Sequence, residues 1–279
     1  ALNMNFRLKT LVIILIVAIA TMAPVCVLSG GESSTTTSTI TLAPGALIEV
    51  IGEYAEVRVH RVSSNTLDLK VTFHNGEFVD FYTQSLSPEP SSHFVISAKT
   101  GGSGSKSANS IIELGIPAGM QLAVETTNRS ITVDSATLAS ASLTTTDGKI
   151  SVTNASGDYD LSTTNSEVIV QSVDGNVNIS TTNAHVWFDG VIDAGSSSIS
   201  TTNGDVAVRL RNGSDVTVSG ATHNGAVTID DGSDGVTKDG DTATLEHQIK
   251  NGAATLNITN GPGAIHINPE TIAVFDGDS

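Results

Sequence analysis

Cysteine, aromatic rings and positive charge are what this 279-residue chain has least of: one Cys, one Trp and 13 Lys and Arg against 29 Asp and Glu. The lone cysteine, Cys26, lies in an apolar N-terminal run, so a chain without that run has no disulfides and no thiolate metal sites. Scarce rings exclude a core of large aromatics and suit thin β-coils filled by Val, Ile and Leu. Residues 1–30 carry Arg7 and Lys9 and no acid, leaving 11 basic and 29 acidic residues, a net of −18. That field repels nucleic acid and anionic lipid surfaces, so neither is an expected partner. The seven histidines are dispersed without metal-ligand spacing. The acid pairs Asp158 and Asp160, Asp230 and Asp231, and Asp239 and Asp241 lie mostly in Gly-rich stretches, where turn use is the default. No cofactor, no metal and no enzyme activity are expected.

The N-terminus reads as an export element. Arg7 and Lys9 precede an apolar run from Leu11 to Leu28, and Val27-Leu28-Ser29 before Gly30 has the small-x-small character of a cleavage site. The run is also just long enough to span a bilayer uncleaved. A cleaved signal is the preferred reading, a retained anchor the alternative, and any contact with a membrane is expected through this segment only. Lipidation at Cys26 is disfavoured, because Val25 precedes it where a lipobox wants a small residue.

What is abundant is a repeat. Thr126-Thr127-Asn128, Thr145-Thr146-Asp147, Thr163-Thr164-Asn165, Thr181-Thr182-Asn183 and Thr201-Thr202-Asn203 are followed by weaker copies at Thr222-His223-Asn224 and Thr259-Asn260. The Asn/Asp positions are 19, 18, 18, 20 and 21 residues apart, and the last gap, 36, is twice 18. A period near 18 marks one supersecondary unit stacked on itself. Before each motif Leu122, Val124, Leu143, Leu161, Val177, Ile179 and Ile199 alternate with polar residues. After it the pairs Ile131/Val133, Ile150/Val152, Val168/Val170, Val186/Phe188, Val206/Val208 and Val227/Ile229 do the same. Period-2 alternation over four to six residues predicts two short half-buried strands per coil. The expected fold is all-β: a single-stranded β-solenoid with ~18-residue coils and an N-terminal β cap.

The divisions follow. Residues 31–39 are a Ser/Thr-rich linker, 40–118 an N-terminal β capping segment, 119–267 the solenoid and 268–279 a tail. The cap is needed because an open first coil would expose core and strand edge. Residues 231–254 break the period and read as an excursion before a final coil at 255–267.

Turn chemistry explains the Asn positions, since Asn tolerates φ > 0 and the next residue is often small. Stacked on one another, Asn128, Asp147, Asn165, Asn183, Asn203, Asn224 and Asn260 are expected to form a structural hydrogen-bonding ladder. By alternation the first Thr of each motif points inward and the second outward. Trp187 lies between the inward Val186 and Phe188, so alternation turns it outward, with Ile169 and Ala207 as its apolar register mates. Such a column is a candidate contact site. The competing reading, which the sequence favours, is that the 231–254 excursion or the capping segment covers it.

Leu161-Ser-Thr-Thr-Asn165, Val177-Asn-Ile-Ser-Thr-Thr-Asn183 and Ile199-Ser-Thr-Thr-Asn-Gly-Asp-Val206 resemble the repeats of the large prokaryotic putative-adhesin family, a β-solenoid domain of unknown function. So does the late Leu256-Asn-Ile-Thr-Asn-Gly261. Leu47-Ile-Glu-Val-Ile-Gly52 and Leu114-Gly-Ile-Pro-Ala-Gly119 are similar to its entry elements. The resemblance spans about residues 41–267 and implies a β-solenoid at the cell envelope, with no catalytic residues to carry over. Ser166 and Ala184 stand where the family usually has Gly, which puts the tight turn there in question. The expectation is an exported, adhesin-like binding protein at the cell surface, contacting polysaccharide or an envelope protein through an outer sheet face. The alternatives are an envelope-stress sensing partner of a membrane protein and a structural component of a surface assembly.

Overall fold

The computed structural model describes residues 33–74, 79–100, 109–230 and 235–268. The leader at 1–30, Cys26 and the tail after residue 268 lie outside the described residues. Among the described residues every regular element is a strand.

Each coil gives one strand to each of two faces, A and B, wound around one core. On face A, Met120–Glu125, Thr137–Thr144, Ser156–Ser162, Val177–Thr181 and Ser196–Thr201 stack in parallel. On face B, Ile131–Asp134, Ile150–Thr153, Val168–Asp174, Val186–Val191 and Val206–Leu210 do the same. Like residues meet like: Ile131, Ile150, Val168, Val186 and Val206 form one inner row, and Leu143 lies beside Leu161 on the facing wall. All are buried, so each inward methyl group added by the alternation leaves water. Tyr159 and Phe188, fully buried, are the largest rings within this wall of aliphatics. Burial raises the Tyr159 phenol well above its usual range.

Chain order and spatial order part company at both ends. Residues 47–61 form a complete coil that lies between the strand pair Ser91–Thr100 and Asn109–Ile116 and the coil 121–134. The last coil, Ala254–Asn260 with Ile265–Ile267, is inserted between the coil at 196–210 and the coil at 216–229. Sequential stacking, expected from the period, is therefore replaced by one intercalated coil at each end. Consecutive coils carry nearly the same edge, so hydrogen-bonding pattern alone does not oblige neighbours in sequence to be neighbours in space. Among the described residues nine coil layers stack, a rise of about 38 Å at a strand spacing of ~4.8 Å.

The segment expected as a cap, 40–118, holds two of these coils in register. The capping itself is done by antiparallel strands. Thr66–His74 covers one side of Asn109–Ile116, and Val79–Ser85 covers Ser91–Thr100. At the other end the described part of the 231–254 excursion is a hairpin, Val236–Asp239 with Thr242–Gln248, laid antiparallel on Val216–His223. The expected linker at 31–39 is corrected as well. Ser33–Gly52 is one continuous strand whose first nine residues pair antiparallel with 66–74. A run of Ser and Thr reads as a spacer by complexity, yet β-branched Thr suits a pleated edge once a partner strand is available.

Candidate functional site

The repeated motif forms one narrow side of the solenoid, running coil to coil along its axis. Its first threonines are buried and donate to the carbonyl one residue past the Asn or Asp of the preceding coil: Thr145 to Arg129 O (3.3 Å), Thr163 to Gly148 O (3.2 Å), Thr181 to Ser166 O (3.4 Å) and Thr201 to Ala184 O (3.0 Å). Ser166 and Ala184 thus offer their carbonyls to the threonine row as Gly148 does. Outside this row the side-chain amides bond coil to coil: Asn165 Nδ2 to Asp147 Oδ1 (2.6 Å), Asn183 to Asn165 Oδ1 (2.8 Å) and Asn203 to Asn183 Oδ1 (3.0 Å).

Three expected members stand apart from this chain of amides. Asn128 makes no side-chain bond to Asp147, and Asn224, at φ +60°, donates its backbone N–H to Asp241 O at 2.6 Å. Asn260 is a correction of register. It pairs with Thr201 and Thr222, so it fills the buried Thr position, and Pro262 stands where the ladder Asn would be. The coil 254–267 reaches the motif two residues early, which a Thr-Asn dipeptide conceals.

Ile169, Trp187 and Ala207 do lie side by side on the outer surface of face B. Trp187 keeps only 8% of its surface exposed and Ala207 6%. The described hairpin of the excursion, one of the covers expected for Trp187, pairs on face A. Next to it the outward Asp189, also buried, receives Arg211 through Nε (2.5 Å) and Nη2 (3.1 Å), with Arg209 at 3.9 Å. The Asp189 carboxylate holds the Arg211 guanidinium above its usual value. A carboxylate gripped in this way braces the surface.

Face A is different. A groove of about 450 Å³ crosses its strands from Leu47 to Ser196. One row of its lining runs Gln121, Ser140, Asp158 and Asn176, and the next runs Ala123, Ser142, Asp160 and Asn178. Asp158 and Asp160 belong to the strand Ser156–Ser162 and point outward, where a turn role was expected for them. Local bonds fix the amides. Asn176 Nδ2 donates to Asp158 Oδ1 (3.1 Å), and Ser198 Oγ donates to Asn178 Oδ1 (2.9 Å). Successive members of each row repeat at the strand spacing of ~4.8 Å, so hydroxyls, amides and carboxylates form a regular array without basic side chains in the lining. Sequence reasoning passed over this site because it searched for an aromatic. The outward positions of each first strand, all small and polar, were the available signal.

A long parallel stack of two-strand coils, cored by aliphatic rows and clamped along one narrow side by Thr and Asn ladders, defines a β-solenoid. The model of the Toastrack family, DUF4097, matches residues 94–268, and the chain belongs to that family. Solved structures similar to it include a putative adhesin from Parabacteroides distasonis, 10% identical with a TM-score of 0.44 over 85% of this chain and 98% of that one. A putative cell adhesion protein from Clostridium sporogenes is 13% identical, with a TM-score of 0.39 over 85% of this chain and 99% of that one. No curated protein matches.

Proposed function

We propose that this chain is an exported, adhesin-like protein of the cell surface that binds an extended neutral polysaccharide along the groove of face A. It acts by binding, not catalysis. The observation that carries this reading is the groove itself, whose hydroxyl, amide and carboxylate rows repeat along the solenoid axis as hydrogen-bonding groups repeat along a glycan. Charge favours a neutral polymer, because a net of −18 after residue 30 repels an anionic one. Export is supported by the basic and apolar N-terminal run.

The test is binding of the exported chain to isolated cell-wall polysaccharide and to whole envelope, beside Asn178→Arg and Trp187→Ala. Saturable polysaccharide binding that Asn178→Arg weakens at least tenfold, with Trp187→Ala binding like the parent, is the expected result. Recovery of a discrete membrane protein without glycan binding would replace this reading with the sensing-partner alternative.

A further inference from the structure

The solenoid ends in four free strand edges among the described residues, and three of them are blunted. On face B, Val227–Ile229 is only three residues long. On face A, Val236–Asp239 has four residues with Lys238 and Asp239 among them, and Val79–Ser85 carries Asp80. Short length and charge are the usual devices that stop sheets joining edge to edge. The fourth edge has neither. Residues 33–41 pair with 66–74 without a register shift and contain no charge, proline or glycine. Ser33, Thr35, Thr37 and Thr39 are exposed, and no described strand pairs with the outer side of this ladder.

We propose that this edge is a homodimer interface, in which residues 33–41 of two copies pair antiparallel about a two-fold axis and join two solenoids end to end. An antiparallel edge is self-complementary, as a two-fold interface requires. Neutrality selects the place. Two strongly acidic chains repel over most of their surfaces, whereas pairing here sets Ser and Thr against Ser and Thr with no like charges opposed. The end layer behind the edge also gains from closure. Ile40 and Phe81 are only partly buried there, and Phe81 meets Phe73 edge to face at 5.1 Å between centroids. A nine-residue ladder with this small apolar patch is less than a standard interface, so the dimer forms and dissociates with concentration.

Sedimentation equilibrium of the exported chain from micromolar to millimolar concentration tests this. A monomer–dimer equilibrium is expected, with a Kd that Thr35→Glu/Thr39→Glu raises at least tenfold while the melting temperature stays within a few degrees. Thr37→Cys supplies a second readout, since oxidation should give a covalent dimer in excess of that from the parent. A parent that stays monomeric, a charge variant that dimerises like the parent, open-ended polymers, or no cross-link through Cys at position 37 would each overturn the proposal. Glycan binding on face A is read separately and fails or succeeds without reference to this interface.

Discussion

Asn260 lies opposite Thr201 in the parallel ladder of face A, in the slot where other coils bury a threonine. On its other side stands Thr222, whose hydroxyl is within 2.7 Å of both Gly261 O and Gly263 O. Asn260 uses Nδ2 to reach Ala264 O (3.1 Å), and its buried Oδ1 has no donor among the described residues. An unmet buried acceptor costs about 1–3 kcal/mol, while the amide bond to Ala264 returns about 1 kcal/mol. Asn260→Thr restores the hydroxyl of the column and removes the orphan oxygen. It is expected to raise stability by about 1 kcal/mol, seen as a higher urea midpoint at unchanged slope. A lower midpoint would mean that the amide holds this turn in a way threonine cannot.

The amide ladder predicts a graded series. Asn183 both donates to Asn165 and accepts from Asn203, whereas Asn128 does neither. Asn183→Ala removes two bonds at an exposed turn, and at ~0.5–1.5 kcal/mol per bond should cost about 1–3 kcal/mol. Asn128→Ala should stay within about 0.5 kcal/mol of the parent. Equal losses in thermal or urea unfolding would show that the residues act as turn formers only.

The rows of inward residues and the inward first threonine were legible in the sequence because both follow from alternation, a local rule. Leu161, Ile179 and Val168 are buried where period-2 reading puts them. The order of coils in space was not legible. Thr201 bonds across to the strand of Asn260 and not to that of Thr222, although Thr222 belongs to the next coil in sequence. Coil edges differ too little for pattern to record which neighbour wins. The groove of face A was missed for a related reason. Ser142, Asp160 and Asn178 are unremarkable singly and become a row only once the register of three coils is known.

Asp215 ties the loop that leads into the intercalated coil. Its carboxylate accepts the backbone N–H groups of Ala253 and Asn251, each at 3.0 Å, and these hold its pKa below the usual carboxylate value. A depressed folded-state pKa stabilises above the unfolded value of about 3.9, and that contribution is lost as pH falls through the lower folded value. Amide exchange at Asn251 and Ala253 should therefore be slow at neutral pH, faster in Asp215→Asn, and alike in the two proteins once Asp215 is protonated. A difference that persists in strong acid would assign the protection to the loop and not to the charge.

Close approach of coils at the turn end makes the sharpest stability prediction. A Cβ on Gly263 would stand 1.8 Å from Gly204 O, and one on Gly204 would stand 2.0 Å from Ala184 O. Both contacts are to backbone, so no side chain can swing aside. Gly263→Ala must push the inserted coil off its neighbour along the whole ladder, and an overpacked site of this kind typically costs about 1–3 kcal/mol. Gly240, in the tip of the capping hairpin at φ +58°, meets nothing within 4 Å. Gly240→Ala bears only the left-handed backbone, roughly 1 kcal/mol. Urea unfolding should rank Gly263→Ala well below Gly240→Ala, and Gly263→Ala should also speed amide exchange in residues 254–260, where the inserted strand loses its fit. If the two alanines cost the same, the wedge is looser than its contacts imply, and the coil 254–267 is held by its hydrogen bonds alone.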